Sequence, residues 1–217
     1  MILEKMVTHK DIGHGQKSGV NDVICYRKDN IAYLNITNQC TLHCSFCPKL
    51  NKNWVVQGHH LKLSRQATTS RTLLALGDPR RYEEVVFSGL GEPTLHLSVL
   101  IEVAKAIHGR TRVRLITDGL GNLVQGMDIT PLLAGKIDAV SISLNAQQES
   151  VYNQLCQPPQ SGTYPALLDF IQAAKRNVGD VCLTAIDGLK DVDIAGCQNI
   201  ANNYGVDFRR RKIGECI

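Results

Sequence analysis

Short runs rich in Val, Ile and Leu alternate along the chain with longer stretches whose apolar residues recur at helical spacing. The strand-like runs fall at residues 31–37, 84–90, 112–118, 139–145, 181–187 and 206–213. Helical patterns lie between them at 64–76, 95–108, 130–133, 148–155 with 165–176, and 191–204. This alternation predicts right-handed crossovers and a parallel sheet covered by helices. Residues 31–217 hold six repeats of about 31 residues, the size of one βα unit.

Two architectures satisfy the repeat: an open doubly wound sheet and a partial TIM-type (βα)6 barrel. In the run 139–145, Ser141, Ser143 and Asn145 share one face of a strand, and Val140, Ile142 and Leu144 share the other. The run 31–37 repeats this, with Asn35 and Thr37 opposite Leu34 and Ile36. Strands apolar toward their helices and polar on the inside suit a barrel with an open lumen, so the α/β partial barrel is the expected fold. Residues 1–30 stand outside the repeat. They read as an N-terminal segment whose residues 23–26 form a short extra strand, covering the sheet edge where six units leave a barrel open.

Composition adds bounds. The 217 residues suffice for a sizeable core, and no apolar run approaches the roughly 18 residues of a membrane helix. The N-terminus is charged too early for a signal-peptide core, so the expected compartment is cytoplasmic. A net charge of +4 and 5% aromatic content argue against a dedicated nucleic-acid binder. Eight cysteines in such a chain read as metal or redox chemistry rather than a disulfide framework.

Three of those cysteines cluster directly after the first strand, in Cys40-Thr-Leu-His-Cys44-Ser-Phe-Cys47-Pro48. Thiolates spaced C-x3-C-x2-C on one loop can hold three irons of a cubane and leave the fourth iron open to a ligand. Other readings use fewer of them. A zinc site could pair Cys44 and Cys47 with His59 and His60, although adjacent histidines lack the usual ligand gap. A dithiol of Cys44 and Cys47 leaves Cys40 unexplained.

With Phe46 in the aromatic position, this loop resembles the cluster motif of the radical SAM superfamily. The resemblance covers residues 31–213. It implies a [4Fe-4S] cluster on Cys40, Cys44 and Cys47. It also implies S-adenosyl-L-methionine (SAM) on the fourth iron, and cleavage of SAM to a 5′-deoxyadenosyl radical that abstracts hydrogen from a substrate. Later segments match by position. Ser88-Gly-Leu-Gly-Glu-Pro-Thr94 resembles the family's Gly-Gly-Glu segment, with Leu90 in place of the first Gly, which implies that Gly91 and Glu92 receive the SAM ammonium. Asp118, in Ile116-Thr-Asp-Gly119, stands where many relatives have Asn facing the ribose. Ser143 and Asn145 resemble residues that face the ribose and carboxylate, and Ile213 falls on the strand that flanks adenine in relatives. These segments follow consecutive strands, and βα-barrels build their active sites from the loops at that end.

Within the superfamily, Tyr152-Asn-Gln-Leu-Cys-Gln-Pro158 and Ser-Leu-Asn145-Ala look most like the radical SAM proteins associated with TatD-family hydrolases. That resemblance implies a functional link to such a hydrolase and a reductant such as flavodoxin or ferredoxin. The substrate is left as a small molecule or a protein. The activases of glycyl-radical enzymes, and a cysteine-metal protein without radical chemistry, stay open as alternatives. Among the remaining thiols, Cys182 and Cys197 read as buried small hydrophobes and Cys25 and Cys216 stay unassigned. Cys156 reads as packing or as a relay near the mouth, and the segment containing Trp54, His59 and His60 as a cover for the cluster or a plain surface loop.

Overall fold

The computed structural model describes residues 22–50 and 53–212, so Ile213, Cys216 and residues 1–21 lie outside the described residues. The chain opens with β1 (Cys25–Lys28) and β2 (Ile31–Leu34), then a small hairpin of β3 (Val55–Val56) and β4 (His59–His60). Next come α1 (Thr69–Leu76), β5 (Glu84–Phe87), α2 (Leu97–Ile107), β6 (Arg112–Thr117), α3 (Gly121–Gln125) and α4 (Thr130–Leu133). The rest is β7 (Ala139–Ser143), α5 (Glu149–Cys156), α6 (Thr163–Asn177), β8 (Asp180–Asp187), α7 (Ile194–Tyr204) and β9 (Asp207–Lys212).

The main sheet runs β1-β2-β5-β6-β7-β8-β9, in chain order throughout. From β2 through β5, β6, β7 and β8 to β9 the neighbours pair in parallel, and β1 pairs antiparallel with β2 at the edge. A doubly wound sheet reverses its order at a switch point, and this one does not. Right-handed crossovers taken always in one direction place every helix on the same face. The packing agrees: Leu34, Phe87, Leu115, Ile142 and Leu183 form one core with Leu100, Val103, Leu167 and Phe170 of the helices. This is the partial TIM-type barrel.

The other face is the lumen. The strand register aligns Tyr33, Val86, Arg114 and Ala139 in one row, and Ser143, Thr184 and Arg209 in another nearer the mouth. Its β1–β2 side is filled by an apolar cluster of Tyr26, Tyr33, Val56, Leu61, Val86, Leu90 and Ile116, to which no helix contributes. The β3–β4 hairpin supplies part of this plug. Tyr26 stacks on Tyr33 with ring centroids 5.1 Å apart, and His59 packs on Tyr26. Segment 53–60 therefore adds Val56, with Trp54 and His59 partly buried, to the plug on the β1–β2 side and is more than a plain surface loop.

Strands β2, β5 and β7 end two or three residues earlier than the apolar runs suggest, while β6, β8 and β9 end within one residue of them. Asn35 already bonds outside the parallel ladder, its N–H donating to the Ile24 carbonyl. The short N-terminal strand lies at Cys25–Lys28 rather than 23–26. Helix α1 begins at Thr69, five residues later than its pattern, because the Thr68 side chain caps it by accepting from the Arg71 N–H. Helix α6 begins two residues before Pro165, which sits where a missing N–H leaves no helical bond unmade. Cys197 is fully buried in the core, but Cys182 is not: its strand phase puts it half-buried on the lumen face. There burial pushes its thiol pKa up, opposed by nearby Arg209 and Arg114.

Candidate active site

The loop of three cysteines leaves the mouth end of β2 and is docked on helix α5. The N–H of His43 donates to the Cys156 carbonyl at 3.0 Å, and that of Ser45 to the Leu155 carbonyl at 2.8 Å. These are end-of-helix carbonyls that lack partners within α5, so the loop and the helix end complete each other. The helix stops there because Gln157 takes a left-handed conformation. Within the loop the Cys47 N–H returns to the Cys44 carbonyl at 2.9 Å. Phe46 anchors the loop by packing against the main core.

Cys40, Cys44 and Cys47 are all partly buried. Burial, with the Asp118 carboxylate nearby, pushes the Cys40 thiol up to about 12. Contact with the Cys156 thiol, then burial, pushes Cys44 up as well, and Cys40 and Cys47 lie close enough to add to that shift. Thiols held neutral by their own crowding become thiolates when a metal cation supplies the missing charge. Among the described residues no three His, Cys, Asp or Glu side chains converge on one point able to hold a single metal ion. A mononuclear zinc site needs that convergence, whereas a cubane takes each thiolate on a different iron. His59, packed on Tyr26, belongs to the lumen plug.

Gly91 comes from the β5 loop and lies against the chain leading into Cys40. A Cβ there would meet the Thr37 carbonyl oxygen at 2.1 Å and that of Gln39 at 2.7 Å, so only glycine allows this approach. The next residue's N–H, of Glu92, donates to the Gln39 carbonyl at 2.7 Å. The Glu92 carboxyl is buried and engaged by the chain itself. Its Oε1 accepts from the Thr94 N–H at 3.0 Å, the Thr94 hydroxyl at 2.7 Å and the Thr117 hydroxyl at 2.8 Å. Its Oε2 accepts from the Asp118 N–H at 2.8 Å. Burial, then the neighbouring Asp118, raises Glu92 to about 8.

Asp118 is buried beside it, and burial raises its pKa too. Its Oδ1 accepts from the Leu120 N–H at 3.0 Å and its Oδ2 from the Thr41 hydroxyl, next to Cys40. Glu92, Asp118 and Thr41 thus tie the β5 loop, the β6 loop and the cysteine loop together. Asn145 follows β7 with φ of 61°, a left-handed conformation that Asn tolerates. Its Nδ2 donates to the Cys156 sulfur at 3.4 Å. Ser143, half-buried, shares the inner row with Thr184.

Three polar atoms here are buried without a partner among the described residues, Ser88 Oγ, Asn145 Oδ1 and the Tyr152 hydroxyl. Unmade hydrogen bonds of this kind are costly inside a protein and mark places where a polar ligand completes them. The structure therefore brings Gly91, Glu92, Asp118, Ser143 and Asn145 to the mouth beside the three cysteines. Thr41, Ser88, Thr117 and Tyr152 belong to this constellation too; each lies inside one of the motif segments, which assign it no role. Only contacts across distant segments reveal them.

The profile of the Radical SAM superfamily matches residues 34–202. The chain belongs to that superfamily. A search among curated proteins found no significant match. Solved structures with a similar fold include Streptococcus suis SuiB bound to precursor peptide SuiA, at TM-score 0.61 and 13% identity, covering 82% of this chain and 38% of that one. TYW1 with a lysine–pyruvate adduct bound gives 0.58 and 16%, covering 84% and 64%. HydG, a maturase of the [FeFe]-hydrogenase, gives 0.55 and 15%, covering 83% and 41%. The chain thus spans 38–64% of the length of these neighbours. At such identities the likeness establishes the fold of the radical SAM domain. No helix among the described residues is long and apolar enough to cross a membrane.

Proposed function

We propose that the chain is a radical SAM enzyme that holds a [4Fe-4S] cluster on Cys40, Cys44 and Cys47 and binds SAM across the ends of β5, β6 and β7. When bound, the cluster supplies the electron that cleaves SAM reductively, giving a 5′-deoxyadenosyl radical able to take hydrogen from a substrate. The observation that carries this reading is one juxtaposition at the barrel mouth. Three crowded thiols on a loop fixed to α5 stand beside the unpartnered, buried acceptors Ser88 Oγ and Asn145 Oδ1. The donor set is thiolate and polar oxygen, which suits iron–sulfur coordination beside a zwitterionic nucleoside.

The chain's own residues divide the work. Gly91 brings the β5 loop close enough for its backbone carbonyls to face the SAM ammonium. The Glu92 carboxyl holds Thr117 and Asp118 in place behind it. Asn145 Oδ1 and Ser143 offer hydrogen-bonding groups to the ribose and carboxylate. Ile213, on the residue after β9, would flank adenine. The hairpin plug closes the β1–β2 side of the lumen and keeps water from it, so a substrate enters from the side of β7, β8 and β9.

The finer placement is with the radical SAM proteins associated with TatD-family hydrolases, supported by the Tyr152–Pro158 and Ser143–Ala146 segments. It carries with it a functional link to such a hydrolase, a flavodoxin or ferredoxin reductant and a cytoplasmic setting. The substrate, a small molecule or a protein, is not specified by these residues. Anaerobic reconstitution with iron and sulfide tests the reading. Wild type should take up about four irons per chain with broad visible absorbance, and cleave SAM under a low-potential reductant. Cys40→Ala, Cys44→Ala and Cys47→Ala should each abolish the intact cluster. A single one of these variants with full iron content would refute the ligand assignment.

A further inference from the structure

Helix α5, on whose end the cysteine loop docks, carries two buried side chains one turn apart. Residues 152 and 156 stand at i and i+4 and share a helix face. The loop docks on the C-terminal end of this helix, where the N–H groups flanking Cys44 bond to the carbonyls of Leu155 and Cys156 and the Cys156 side chain meets Cys44. Both side chains are fully buried. The Cys156 sulfur accepts from Asn145 Nδ2 at 3.4 Å and touches the Cys44 thiol. The Tyr152 ring packs against Tyr164, with centroids 5.3 Å apart, while its hydroxyl has no hydrogen-bond partner. Cys156, one turn on along the same face, lies between Tyr152 and Cys44, and Asp118, Cys44 and Cys40 are near enough to act electrostatically on the hydroxyl.

An O–H donor buried without an acceptor costs on the order of 1–3 kcal/mol, and phenylalanine would fill the same space without that cost. A tyrosine here is explained if an acceptor occupies the cysteine nest in the working protein. Among the described residues no cysteine sulfur accepts from the Tyr152 hydroxyl in the metal-free chain, whereas ligated thiolate or sulfide is an electron-rich acceptor. Cys156 fits the same account. Its sulfur accepts a hydrogen bond from Asn145 Nδ2 on one side, which leaves Asn145 Oδ1 unpartnered, and has an S–H to direct at Cys44 on the other.

We propose that Tyr152 and Cys156 are positioning residues that donate hydrogen bonds, O–H and S–H, to the sulfur atoms of the bound cluster and thereby raise its reduction potential. Donors to cluster sulfur withdraw electron density and favour the reduced state, which is one of the protein's main means of setting such potentials. The proposal rests on the cluster reading above. It makes neither residue a ligand, since Cys40, Cys44 and Cys47 already occupy three irons and the fourth is left for SAM.

The test is a redox titration of the reconstituted cluster, without SAM, in wild type, Tyr152→Phe and Cys156→Ala, each checked for iron content. Both variants should keep the wild-type iron content and titrate at a more negative midpoint. Cys156→Ser, which retains a donor, should restore the potential toward wild type. The metal-free proteins give a second readout: Tyr152→Phe should melt at or above the wild-type temperature, because it removes an unpaired hydroxyl. An unchanged midpoint in Tyr152→Phe overturns the proposal. So does a lower melting temperature for that variant without metal, since the hydroxyl would then have a partner in the chain or its water. Loss of iron from Cys156→Ala would make Cys156 a ligand and also overturn it. Failure of wild type to take up a cluster would instead refute the proposed function itself.

Discussion

Replacing Glu92 with alanine should destabilise the metal-free protein by about 2–6 kcal/mol. The figure comes from the donors that the carboxyl satisfies. Two are backbone N–H groups, of Thr94 and Asp118, which are fixed by the chain and buried. Orphaning each costs roughly 1–3 kcal/mol. The hydroxyls of Thr94 and Thr117 also lose their acceptor, but they can rotate toward others. Urea denaturation of the metal-free chain, kept reduced, measures the loss without any contribution from ligands. The pH dependence supplies a second signature. Glu92 is raised from 4.5 to about 8, so the native chain keeps a proton that the unfolded chain releases. Its stabilising contribution is therefore full below pH 4.5 and is lost as pH rises through about 8. The slope reaches about 1.4 kcal/mol per pH unit at most. Glu92→Gln does not titrate and should flatten that slope, leaving the part due to Asp118, which is raised in the same direction. If the alanine variant stays within about 0.5 kcal/mol of wild type, the carboxyl is not holding the β5 and β6 loops together. It would then be free to meet the SAM ammonium directly.

Three further outcomes follow from the same geometry. Gly91→Ala places a methyl 2.1 Å from the Thr37 carbonyl oxygen, so the cysteine loop must shift; a loss of about 1–3 kcal/mol and poor iron uptake are expected, read by denaturation and iron assay. Asn145→Ala and Asp118→Ala should weaken SAM binding about tenfold or more in calorimetric titration of the reconstituted protein, and unchanged affinity in both would move the pocket elsewhere. Cys182→Ala and Cys197→Ala should retain full iron content, because one lies on the lumen face and the other in the core, both away from the docked loop.

The alternation of apolar runs was enough to order the strands and helices, since each unit is local and buries its own face. Ser141 and Ser143 announced a polar lumen because strand periodicity decides which residues share a face, whereas Asn145 lies past the end of the strand in a left-handed conformation. The cysteine spacing was equally local, lying within one loop. Other features depend on which segments meet. The β3–β4 hairpin has two-residue strands, too short to show any alternation. Glu92 stood out in its motif as a group for a ligand, but its partners Thr117 and Asp118 come from the next strand. Only folding shows that the carboxyl is already satisfied. Tyr152 and Cys156 sit more than a hundred residues from Cys44 in the chain; the sequence put Cys156 near the mouth, but nothing local sets it against Cys44 or brings Tyr152 with it. They meet because α5 ends where the cysteine loop needs acceptors, which is a property of packing and not of spacing.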